Sequence, residues 1–151
     1  MGLDMYLRLR KAYDWNMNSE SFDNAYGTGW KLSESTYTVC EWRKANAIHK
    51  WFVDHVQDGN DDCGRYYVSV DNLKTLRSAC QNAMLSYDEG NIEDAAMWMP
   101  TQSGFFFGCT DYDTWYREDL QRTFDACNNL IRTIQSPDRK HWLSVEYQSS
   151  W

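Results

Sequence analysis

The chain has 151 residues, a formal net charge of −7 and a pI near 4.8. An acidic balance of this size excludes broad binding to DNA or RNA backbones, which needs a basic surface. The length is that of one domain, residues 1–151, with room for a sizeable core. The chain opens with Leu3, Met5, Leu7 and Leu9 alternating against Asp4, Tyr6, Arg8 and Arg10, the pattern of a half-buried strand. These charges replace the apolar run of a leader peptide, and no later stretch approaches a membrane span. A cytoplasmic protein with no membrane contact is expected.

From Tyr13 to Lys31 the sequence is rich in Asn, Ser, Asp and Gly and reads as a long loop, of a length that suits a lid or a variable surface insertion. Ser35 to Trp42 is β-branched and aromatic and predicts a second strand. Glu41 or Trp42 then leads into a helix that Asp58-Gly59 ends. Its main stripe is Ala45, Ile48, Phe52 and Val56, with Trp42, Asn46, His49 and Val53 on an adjacent one. Asn46 and His49 therefore face the same way at the core boundary.

An acidic turn, Asp58 to Arg65, precedes a short strand from Tyr66 to Ser69. Ser69 is a natural N-cap for a helix carrying Val70, Leu73, Leu76, Cys80, Ala83 and Met84 inward. A connector follows, with a short helical turn at Ile92 to Trp98. Phe105 to Phe107, bracketed by Gly104 and Gly108, predicts a strand. Thr110 or Asp111 would cap the third helix, whose inward positions are Tyr112, Trp115 or Tyr116, Leu120, Phe124, Cys127, Ile131 and Ile134. Ser136-Pro137 stops it. His141 to Tyr147 alternates and closes the chain as a strand. The order β-β-α-β-α-β-α-β predicts an α+β fold: a mixed or mainly antiparallel sheet with about three helices on one face.

Catalytic and metal signatures are sparse. His49 and His55 are six apart, unlike the i, i+4 pair of a zinc helix. Asp58, Asn60 and Asp62 resemble the start of a calcium loop, but Cys63 and Ser69 stand where that loop needs Gly and Glu. No metal is expected. The five cysteines are widely spaced without a CxxC pair, which predicts reduced thiols rather than disulfides or a zinc knuckle. Cys63, Cys109 and Ser103 are the available nucleophiles, with His49 as base and Asp61 or Asp62 as acid/base partners. No nucleophile elbow, Walker loop or GxGxxG supports catalysis or a cofactor. None is expected. The unit from Pro100 to Leu120 does suit a binding site. Gln102 and Asn46 offer paired donors and acceptors, and Tyr66, Tyr112 or a Trp can stack on a base.

Together MGLDMYL, EWRKANAIHKWFV, DDCGRYYVS and PTQSGFFFGCTDYD resemble a family of small phage and bacterial proteins of no assigned activity. The resemblance implies a phage- or prophage-encoded protein working in the bacterial cytoplasm, and it implies no catalytic residue. That setting suggests a binding protein that sequesters a nucleotide-derived immune messenger without turnover. Arg43, Asn46, His49, Tyr66, Gln102, Ser103, Thr110 and Tyr112 would bind the ligand, and a homo-oligomer would build or close the pocket. The competing readings are a small hydrolase using His49 with Asp61, Asp62 or Cys63, and an acidic inhibitor of a host enzyme.

Overall fold

A computed structural model of the chain describes residues 2–12, 21–22, 30–31, 34–137 and 142–151. The architecture is α+β: a four-stranded antiparallel sheet with four helices. The strands are β1 (Asp4–Ala12), β4 (Glu34–Arg43), β5 (Arg65–Val68) and β6 (Trp142–Ser150), in the order β4-β1-β6-β5. Two-residue strands β2 (Ser21–Phe22) and β3 (Trp30–Lys31) pair with each other. The rest of the loop expected at Tyr13 to Lys31 lies outside the described residues.

The first and last strands form the centre of the sheet. β1 runs against β6 from Asp4↔Ser150 to Ala12↔Trp142, and against β4 from Asp4↔Arg43 to Ala12↔Glu34. The β1–β4 register shifts between Leu7↔Cys40 and Arg8↔Thr38, so Val39 is the extra residue of a bulge. Period-two alternation then sorts the side chains. Leu3, Met5, Leu7, Cys40, Trp42, Val68, Val145 and Tyr147 are buried in the core. On the opposite face Arg8 lies over the Tyr6 ring at 4.7 Å and donates to Gln148 Oε1 at 2.9 Å. Glu146 also lies on that face, yet it is buried, with Arg10 at 3.6 Å.

Helices α1 (Asn46–His55), α2 (Val70–Asp88), α3 (Ile92–Trp98) and α4 (Thr114–Ile134) complete the core. Phe52 of α1 stacks on Tyr147 with ring centroids 3.8 Å apart. Trp42 Nε1 donates to Thr123 Oγ1 at 3.0 Å, and that hydroxyl donates on to the Asp119 carbonyl at 2.7 Å. A fully buried Trp N–H is thus satisfied within the α4–sheet interface. Ser69 caps α2 in a reciprocal box with Asn72. Ser69→Ala is expected to lower stability by about 1 kcal/mol in urea denaturation.

Three boundaries differ from the sequence reading. β4 continues to Arg43 and α1 starts only at Asn46, because Lys44 turns the chain with a left-handed φ of 58°. Asp113, not Thr110 or Asp111, caps α4: its Oδ1 accepts from Tyr116 N at 3.0 Å. Tyr112 therefore precedes the helix, and of Trp115 and Tyr116 the latter is buried. Phe105 to Phe107 is a turn rather than a strand. Phe107 N–H bonds back to the Gly104 carbonyl at 3.1 Å, Phe105 stands 96% exposed, Phe106 packs partly buried against the core, and Phe107 alone of the three is fully inside. Three consecutive rings cannot all enter a core from a tight turn.

Candidate functional site

One side chain makes three of the ties that hold the loop from Pro100 to Asp113. Asn46, in the first turn of α1, donates through Nδ2 to the carbonyls of Phe107 at 3.0 Å and Cys109 at 2.8 Å. Its Oδ1 accepts from Gln102 N–H at 3.0 Å. Further ties come from Thr101, whose N–H donates to the Tyr112 hydroxyl and whose hydroxyl donates to the Thr110 carbonyl. A loop lacking a ladder of its own must find such partners for its backbone groups.

This pinning leaves a cleft of about 360 Å³ between the β4–α1 junction, the loop and the start of α4. One wall carries Arg43 and Lys44 with the first turn of α1, which no side chain caps. The α4 wall carries Glu118, Asp119 and Arg122, and Trp115 stands 72% exposed at its start. Asp111, Asp113 and Cys109 also line it. Burial pushes the Asp119 carboxyl up to about 6; Arg122 pulls it back in part, while Glu118 and Asp113 add to the rise. The folded state therefore holds an extra proton between the usual carboxylate value of 3.8 and about 6. Stability contributed by the neutral form is lost as pH rises through that window. Asp119→Asn is expected to raise stability by about 1 kcal/mol at neutral pH, discounted for partial solvation, and to change little near pH 4. Denaturation at the two pH values checks this.

A second polar cluster lies one turn further along α1. His49 is fully buried, with Nδ1 2.7 Å from the Tyr147 hydroxyl and Nε2 2.9 Å from Asp61 Oδ2. Trp151 Nε1 donates to the other oxygen of Asp61 at 3.0 Å. A carboxylate only accepts, so the bond network places the imidazole proton on Nε2 and leaves Nδ1 to accept from Tyr147. Burial holds the Tyr147 phenol well above its ordinary value. Both ring nitrogens of His49 are therefore occupied, and its ring packs edge-on to Phe107 at 5.2 Å.

Among the eight expected ligand residues, Arg43 and Asn46 line the cleft, and Asn46 and Gln102 meet directly. Ser103 and Thr110 are exposed on the loop, and Tyr112 packs against Tyr116 at 4.8 Å. His49 is sealed in the core and bonded to the partly exposed Asp61, while Tyr66 sits on β5 and donates to Asp62 at 2.9 Å. Asp119, Arg122 and Trp115 were not singled out as ligand residues by sequence, although Asp119 stands beside the inward positions Tyr116 and Leu120. Lys44 could be read only as a basic residue, like Arg43, able to supply charge to a phosphate. No family model, curated protein or solved structure matches the chain. Among the described residues no helix is long and apolar enough to cross a membrane, and no cluster of three His, Cys, Asp or Glu is placed to hold a metal.

Proposed function

We propose that this chain binds a small nucleotide-like molecule in the cleft between the β4–α1 junction and α4 and holds it without turnover. The observation that carries this reading is the cleft itself. It joins cations, a partly buried carboxyl and an exposed indole in about 360 Å³, within the range of roughly 300–1,000 Å³ usual for ligand sites. Absence of turnover is supported by the position of His49, whose ring nitrogens are both bonded inside the core. The buried thiols Cys40 and Cys127 are pushed up to about 12 by burial, which makes them poor nucleophiles. The resemblance to phage proteins extends the proposal to capture of a host immune messenger in the bacterial cytoplasm. Exposed Phe105, Trp115 and Trp142 favour self-association, which light scattering on the purified chain tests directly.

The deciding experiment heats protein purified from phage-challenged bacteria and identifies the released small molecules by mass spectrometry. An intact nucleotide supports sequestration. A hydrolysed product points to the enzyme reading. An empty protein whose melting temperature no nucleotide shifts overturns the proposal in favour of a protein partner.

A further inference from the structure

Lys44 is held in place before any ligand arrives. Its φ of 58° is a conformation that side chains other than Gly, Asn and Asp rarely adopt. It is fixed by its N–H, which donates to the Leu3 carbonyl at 2.7 Å, while Leu3 N–H donates to Phe106 O at 3.0 Å. The lysine stem crosses Gly108, itself at φ 80°, so closely that a Cβ there would lie 3.0 Å from Lys44 Cβ. The stem also passes Gly2, where a Cβ would meet Lys44 Cε at 3.3 Å. The ammonium makes no ion pair among the described residues, whereas Arg43 leans to Asp4 at 4.0 Å and Arg122 reaches the Glu41 carbonyl at 3.4 Å. The strained turn sets the direction of the stem and leaves an exposed, unpaired ammonium at the cleft, available to an anion. On the α4 wall, Asp113 is engaged as the helix cap, but the Asp119 carboxyl takes no hydrogen bond from the described residues.

We propose that the cleft takes a ligand with an anionic group at one end and paired N–H donors at the other, the chemistry of a guanine nucleoside monophosphate. Lys44 meets the phosphate, Asp119 accepts from the base edge, and Trp115 stacks on the ring. This inference rests on the binding reading above. Two carboxylate oxygens match the two adjacent N–H groups of guanine, whereas adenine turns a ring acceptor toward them. The groups around Asp119 are Glu118, Asp113 and Arg122 on α4, Asp111 and Cys109 on the loop, and Arg43 and Lys44 opposite. Base recognition by the carboxylate form is lost as pH falls through about 6.

Calorimetric titration of the full chain with GMP, guanosine and AMP tests the assignment. Lys44→Asn removes the cation with a residue that tolerates the backbone, and Asp119→Asn is isosteric. Lys44→Asn is expected to weaken GMP about tenfold and leave guanosine unchanged; Asp119→Asn is expected to weaken both about tenfold. Wild-type protein should prefer GMP to AMP by about tenfold, and its guanosine affinity should fall at pH 5. Equal binding of GMP and AMP, or GMP binding unaltered in both variants, overturns the inference and leaves nucleotide binding standing. If no nucleotide binds and heating releases none, the binding reading falls with it.

Discussion

Asn46→Ala is expected to destabilise the protein by about 3 kcal/mol, more than its small size suggests. The side chain is 97% removed from solvent and makes three hydrogen bonds, all to backbone groups of the Gln102–Cys109 segment. Truncation leaves two carbonyls and one N–H without partners, and each unpaired buried group costs about 1–3 kcal/mol. Water reaches the Cys109 and Gln102 groups more readily than the Phe107 carbonyl, which keeps the sum near the lower end. Asn46→Asp separates hydrogen bonding from shape. It retains the acceptor for Gln102 but sets a carboxylate oxygen against two carbonyls, so it should be at least as damaging as alanine. Urea denaturation reads both variants through the midpoint at constant slope. A loss below about 1 kcal/mol for both would mean the loop is held by Thr101 and Tyr112 instead. The same substitution should abolish ligand binding, because Cys109 and Asp111 reach the cleft only while the loop stays pinned.

That dependence explains what the sequence disclosed and what it withheld. The Ser69 cap, the apolar stripe of α2 and the alternation of β1 and β6 are local signals, written within a few residues of where they act. The partners of those elements are not local. Nothing in Leu3 to Leu9 states that this strand lies between β4 and β6, since the pattern fixes a face and not a neighbour. Phe105 to Phe107 misled because a short apolar run looks the same whether a sheet ladder or a distant side chain meets its backbone. Here the partner is Asn46, 61 residues earlier than Phe107. The pairing of Asn46 with the Gln102 segment was foreseeable in residue type, but not the direction of its use, which is structural. The turn at Lys44 could not be foreseen. A lysine in a left-handed turn opposes the local preference, and only Gly108 and Leu3, remote in sequence, make the turn hold.

His49→Ala is expected to cost about 3–5 kcal/mol, and the reason bears on function as well as folding. The substitution empties a fully buried volume beside Phe107 and removes the acceptor for the Tyr147 hydroxyl, itself completely buried. Asp61, partly open to solvent and still bonded to Trp151, loses much less. Tyr147→Phe should cost only about 1–2 kcal/mol, because it strands one ring nitrogen and opens no cavity. In the double variant the phenylalanine has no stranded imidazole beside it, and the alanine no stranded hydroxyl. The two losses should therefore fall short of additivity by about 1–2 kcal/mol. Additive losses would show that the 2.7 Å contact carries no energy of its own. Ligand affinity measured on His49→Gln, which fills the site and keeps a donor and an acceptor, then separates structure from chemistry. A buried support predicts unchanged binding in the cleft, which Asn46, Ala47 and Ile48 line but His49 does not. A base or ligand group predicts its loss, and the sealed position of the ring makes the first outcome the expected one.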